Sequence, residues 1–250
     1  MNRCAMIVAL LTGAVCFANV GCEAPGKPVR AEVARPDEVL DFSTLYKQNC
    51  AACHGQDGKG GASLPLANPI YLAVAGTDNI QRITTAGVVG TAMPPFAASR
   101  GGTLTDRQIA ALVKGLMDKW GRAELSEGNM IAYAASASGD PVNGKAAFTT
   151  FCARCHGADG TGLKRDKAPT APSEHWTGSI VDPSYLALVS DQYLRSTIIA
   201  GRLDQKMPDW RSLLTGPNAR PMSDQEITDT VAWMVSHRVA APGEPYPQHP

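Results

Sequence analysis

Cys50-Ala51-Ala52-Cys53-His54 and Cys152-Ala153-Arg154-Cys155-His156 are two copies of one pattern, Cys-x-x-Cys-His. The chain holds only seven cysteines and five histidines in 250 residues, too few for the pattern to arise twice by accident. The flanks repeat with it. Adding 102 carries Cys50 to Cys152, and adding 114 carries Pro69-Ile70-Tyr71-Leu72 to Pro183-Ser184-Tyr185-Leu186, Gly87 to Gly201 and Met93-Pro94 to Met207-Pro208. Adding 118 carries Leu104-Thr105-Asp106 to Met222-Ser223-Asp224. The second copy therefore holds 12 more residues after its Cys-x-x-Cys-His (114 − 102) and four more after its Met-Pro (118 − 114).

Each half closes on the same signal. Thr105 with Gln108, and Ser223 with Glu226, form capping boxes, each framed by an apolar staple, Leu104 with Ile109 and Met222 with Ile227. Ile109, Leu112, Val113, Leu116 and Trp120 then keep a helical period, as do Ile227, Val231, Met234 and Val235. Shorter helices are expected over 42–49, 78–85, 144–151 and 192–200, and no run alternates as a strand. The expected class is all-α, in two repeated domains.

Two sulfurs three positions apart on a helical turn can each bond one vinyl group of the same porphyrin, and the next residue then faces iron. This spacing is the attachment signature of c-type haem. Histidine supplies a neutral imidazole nitrogen, the usual proximal ligand. Cys50, Cys53 and His54, and Cys152, Cys155 and His156, are thus the candidate binding residues for two covalently bound haems. A disulfide or a thioredoxin-like pair would use the cysteines but leaves the histidine unexplained twice. Zinc would need four ligands brought together, and a whole repeat separates the two pairs. Aromatic residues make up only 6% of the chain, but a porphyrin is itself a large apolar body around which a small domain can pack.

The sixth position of each iron decides between a carrier and an enzyme. Met93 and Met207 occupy equivalent places in the repeat and each precedes a proline. Proline disfavours helix in the residue before it, so both should lie in extended loop backbone. A thioether suits iron, and His/Met ligation raises the reduction potential. The candidate metal ligands are therefore His54, Met93, His156 and Met207. His175, His237 and His249 have no counterparts in the first half and read as solvated surface residues. A ligating histidine is usually oriented through its other ring nitrogen; the Pro65 carbonyl could serve His54, and that of Pro169 or Pro172 could serve His156. Arg154, Lys164, Arg165 and Lys167 form either a solvated basic surface or a docking patch for an acidic partner.

Met1-Asn2-Arg3 followed by a mostly apolar run to Val20 reads as a secretory signal. Cys22 stands where bacterial lipoproteins carry their acylated cysteine, although Asn19 replaces the usual aliphatic residue. Lipidation of Cys22, cleavage after Ala18 and an uncleaved anchor all remain open. The first two export the protein, and a multiply acylated Cys22 would hold it on a membrane surface. The segments are then signal 1–22, tether 23–37, first domain 38–120, linker 121–143, second domain 144–239 and a proline-rich tail 240–250. A formal net charge of +0 carries no electrostatic footprint for nucleic acid.

These pieces, namely Cys-x-x-Cys-His at the end of a first helix, a glycine-rich loop, Met-Pro further on and a capped last helix, resemble class I cytochrome c, twice over. The resemblance implies small helical domains whose first and last helices cross, and single-electron transfer. It also implies that Gly144 meets Trp233; the equivalent places in the first half hold Phe42 and Gly115, with small and large exchanged.

The expected function is a diheme electron carrier. Its donor would be a quinol-oxidising complex or periplasmic dehydrogenase, and its acceptor a terminal oxidase or reductase. The alternative is a diheme enzyme of peroxidase or thiosulfate dehydrogenase type with one reactive haem. A haem sensor or structural module is a third class.

Overall fold

The computed structural model describes residues 35–127, 130–163, 178–214, 216–217 and 219–239. Cys22 with the leader before it, Lys164, Arg165, Lys167, Pro169, Pro172, His175 and His249 lie outside them. Regular structure among the described residues is helical, apart from isolated bridges pairing Ala97 with Leu104 and Arg202 with Met207.

In the first half, α1 (Phe42–Asn49) starts where the Asp41 carboxylate accepts from Thr44 N–H at 2.8 Å, satisfying one of the orphan donors of a helix end. Cys50 stays helical and leads into the single turn α2 (Ala51–His54). α3 (Pro69–Ala86) is capped by Asn68, whose Oδ1 accepts from Ile70 and Tyr71 N–H, with Pro69 at the position where a missing N–H costs nothing. α3 is broken at Gly76 (φ 66°, ψ 167°), a conformation open in practice only to glycine. α4 (Asp106–Trp120) opens on the expected Thr105/Gln108 capping box.

The second half repeats this order: α5 (Pro141–Phe151), the turn α6 (Ala153–His156), α7 (Pro183–Leu188), α8 (Asp191–Ala200) and α9 (Asp224–Val235), the last with the Ser223/Glu226 capping box. Ser190, the repeat equivalent of Gly76, is the N-cap of α8. Both halves thus interrupt the chain at the same place, one with a glycine and the other with a cap.

The exchanged packing pair is present. Gly144 lies so close to Asp229 and Trp233 of α9 that a Cβ would fall 2.9 Å from Trp233 Cβ, while a Cβ on Gly115 would fall 2.7 Å from Phe42 Cβ. Trp120 restores the indole missing from position 115. Its ring packs edge-on against Tyr46 at 5.2 Å and its tip reaches the Gly58 backbone. In the second half the Trp233 ring lies tilted against Phe148 at 4.2 Å and its tip reaches Gly160. One indole site is thus filled from two different helix positions, which keeps the interior close-packed.

α5 begins three residues ahead of Gly144, because Asp140 caps it and Pro141 takes its first position. Asp140 N–H also donates to Asp229 Oδ1 at 2.8 Å. Upstream, the chain is bound down rather than loose. Arg195, 3% exposed, donates to Tyr133 O at 3.1 Å, Ala132 O at 2.8 Å and Thr228 Oγ1 at 3.0 Å, and pairs with Asp224. The two halves also touch directly. Buried Asn68 Nδ2 donates to Ala200 O at 2.9 Å and Gly201 O at 3.3 Å, and Gly60 N–H donates to Asp204 Oδ2 at 3.3 Å.

Candidate haem sites

The two Cys-x-x-Cys-His turns share one hydrogen-bond pattern. Cys53 N–H and His54 N–H both donate to Cys50 O, at 3.2 and 3.0 Å, and Cys155 N–H and His156 N–H both donate to Cys152 O, at 3.1 and 3.0 Å. None of the four thiols is in a disulfide; Cys53 and Cys155 are exposed, while Cys50 and Cys152 are partly buried. Burial pushes the thiol of Cys50 up to about 11 and that of Cys152 up to about 12, each with a smaller contribution from its partner cysteine. Both are therefore neutral thiols at pH 7.

His54 Nδ1 lies 2.7 Å from Leu64 O. A carbonyl only accepts, so Nδ1 carries the proton and Nε2 keeps its lone pair. The acceptor is the carbonyl of Leu64 and not that of Pro65, as the sequence suggested; the residue before a proline favours extended rather than helical backbone. The loop is further tied by Tyr46 Oη–H to Gly55 O at 2.8 Å and Ser63 N–H to Cys53 O at 3.0 Å. His156 Nδ1 is buried without a hydrogen-bond partner among the described residues. Burial lowers the pKa of both imidazoles, opposed at His54 by the Leu64 bond, so both rings are neutral and available to a metal at pH 7.

The Met-Pro loops are built alike. Gly87 caps the end of α3 at φ 68°, and a Cβ there would lie 2.6 Å from Pro94 C and 2.8 Å from Met93 O. Gly201 caps α8 at φ 67°, with its Cβ position 2.6 Å from Met207 O and 2.7 Å from Pro208 C. In each case a glycine lets the helix end press against the Met-Pro peptide. Val88 N–H donates to Met93 O at 3.0 Å, while Arg202 and Met207 exchange both backbone bonds, at 2.9 and 3.0 Å. This glycine contact escaped the sequence reading, although the alignment of Gly87 with Gly201 was its signal. His237 is exposed, with Nδ1 2.9 Å from Trp233 O.

The residues present fit c-type haem. Each half offers two unpaired thiols, a neutral imidazole and a thioether, and among the described residues no three of His, Cys, Asp or Glu converge as a hard or tetrahedral metal site would need. Residues 37–116 match the family described as cytochrome c oxidase, cbb3-type, subunit III, and residues 141–238 match the family described as cytochrome c. The chain is 31% identical to the cbb3-type cytochrome c oxidase subunit CcoP of Rubrivivax gelatinosus over 157 residues, covering 60% of this chain and 44% of that one. It is 30% identical to subunit FixP of Sinorhizobium medicae over 148 residues, covering 54% and 44%, and 25% identical to CcoP of Cereibacter sphaeroides over 205 residues, covering 76% and 62%. The first two alignments span less than half of those relatives' length.

Proposed function

We propose that this chain, a tandem diheme class I c-type cytochrome with two covalently bound haems, carries single electrons between redox proteins. The observation that carries this reading is the parallel construction of the two halves, each with its own thiol pair, neutral histidine and glycine-held Met-Pro loop. In the first half Cys50 and Cys53 anchor the haem, His54 is the proximal ligand and Met93 the distal one. In the second half Cys152, Cys155, His156 and Met207 take the same roles. When bound, each haem iron takes up and returns one electron.

The protein's part is to keep both ligand positions filled. His54 is oriented by Leu64 O and backbone bonds fix the Met93 and Met207 peptides; with both thioethers as sixth ligands, no position is open to a substrate. Thioether ligation raises both potentials, which suits delivery towards an oxidant. The likeness to cbb3-type oxidase subunits supports a terminal oxidase, or a reductase, as the acceptor, with a quinol-oxidising complex or periplasmic dehydrogenase as donor. The leader up to Val20 and Cys22 supports an exported protein held at a membrane surface by a lipid. Among the described residues no helix is long and apolar enough to cross a membrane.

Rapid mixing of the reduced protein with carbon monoxide tests the reading. Two closed irons give no fast binding phase. A fast phase accounting for one haem overturns the carrier in favour of a diheme enzyme.

A further inference from the structure

The segment 200–207, which ends on the proposed distal ligand of the second haem, is held by two groups of the first domain. Asn68 Nδ2 donates to Ala200 O and Gly201 O, and Gly60 N–H donates to Asp204 Oδ2. Both contacts lead to Met207. Gly201 is pressed against the Met207-Pro208 peptide. Asp204 grips Arg202 at two points, each 3.2 Å, with both side chains about nine-tenths buried, and the Arg202 backbone exchanges bonds with Met207. The bonds that shape the other loop, Val88 N–H to Met93 O and Met93 N–H to Thr91 Oγ1, run within the first domain.

The identity of residue 68 is informative because capping does not need an amide. Asp41, Asp140 and Asp182 cap α1, α5 and α7 with carboxylates, and Asp182 is the repeat equivalent of Asn68. Only an amide can cap α3 with its oxygen while donating across the interface with its nitrogen. Asn68 is 5% exposed, so its nitrogen would be costly to bury without those two carbonyls.

We infer that Asn68 and Asp204 are positioning residues through which the first domain sets the distal-ligand loop of the second haem. The second site relies on the first domain for its Met loop, whereas the bonds of the Met93 loop named above lie within the first domain. This rests on Met207 as the sixth ligand, and the test separates the two ideas. The near-infrared methionine-to-iron band of the ferric protein is measured in Met93→Ala, where it reports the second haem alone, and in Met207→Ala, where it reports the first. Imidazole is then titrated until the band bleaches.

Asn68→Asp keeps the α3 cap but sets a carboxylate against two carbonyls. In the Met93→Ala background it lowers the imidazole midpoint about threefold to tenfold, and in the Met207→Ala background it leaves the midpoint unchanged. Asp204→Ala, which does not touch α3, shifts the same haem in the same direction. Unchanged midpoints at the second haem, or equal shifts at both, overturn the inference. A full-strength band in Met207→Ala removes the ligand assignment itself, and the inference with it.

Discussion

Replacing Gly144 or Gly115 by alanine makes the same chemical change at the two helix crossings, with unequal consequences. Alanine is favoured over glycine in a helix interior by about 0.8–1.0 kcal/mol, and this gain is common to both. At Gly144 the new Cβ would sit 1.9 Å from the Asp229 carbonyl oxygen and 2.9 Å from Trp233 Cβ. Neither atom can rotate away, since one is backbone and the other is the first atom of its side chain. Ordinary contact begins near 3.4 Å, so α5 and α9 must part by about 0.5–1.5 Å along a close-packed seam. Overpacking of this kind costs about 1–3 kcal/mol, and contact with backbone places Gly144→Ala at the upper end, a net loss of about 2 kcal/mol. At Gly115 the obstacle is the side chain of Phe42, half-buried at the first turn of α1. Its ring atoms can swing aside, at the cost of edge-on packing with Trp120 at 5.8 Å, worth about 0.5–1.5 kcal/mol, but its Cβ, 2.7 Å from the new methyl, cannot, so α1 and α4 must part by about 0.7 Å. The helix gain offsets part of this, so Gly115→Ala loses about 1 kcal/mol, less than Gly144→Ala, where the nearest obstacle is backbone. The assay is reversible denaturant unfolding of the haem-loaded chain and of both variants. Phe42→Leu should relieve Gly115→Ala, and Trp233→Phe should not relieve Gly144→Ala. A Gly144→Ala protein as stable as Gly115→Ala would refute the reasoning.

Gly87→Ala and Gly201→Ala should each weaken methionine ligation at one haem, seen as loss of about half the near-infrared methionine-to-iron band, with both haems still attached. Arg195→Ala strips the hydrogen bonds from Tyr133 O and Ala132 O and leaves Asp224 without its partner. Unfolding should show a loss of about 2–4 kcal/mol, together with new proteolytic cleavage over 130–139. Glu226 is held down to about 2 from 4.5, chiefly by Arg220 and also by Ser223, with burial opposing. A carboxyl depressed in the folded state stabilises above its unfolded value and loses that contribution as pH falls from about 4.5 to about 2. Glu226→Gln should therefore cost about 0.5–1 kcal/mol at pH 7, and the difference from the parent should close on acidification through that window.

What the sequence made legible is what local spacing encodes. The paired Cys-x-x-Cys-His turns, the Met-Pro loops and the two capping boxes follow from residues a few positions apart, compared across a repeat, while the exchanged pair at the crossing follows only from the resemblance to class I cytochrome c. The rest depends on groups brought together from afar. Arg195 lies within the helix expected over 192–200, and no local spacing points to the carbonyls about sixty residues upstream that it binds. Asp140-Pro141 reads as linker because serine, alanine and glycine precede it, although an Asp-Pro pair is also a helix start. Trp120 fills from one position a site that Trp233 fills from another, which an alignment by offset cannot show. Asn68 caps the helix that follows it, and its second use across the interface has no local trace.

The central claim is that each half holds a haem between a histidine and its own methionine. Haem content per chain and the near-infrared methionine-to-iron band should be measured in the parent, Met93→Ala and Met207→Ala proteins. The account predicts two haems in all three, about half the band lost in each single variant, and all of it lost when both methionines are replaced. A band undiminished by either substitution, or one haem per chain, would contradict it.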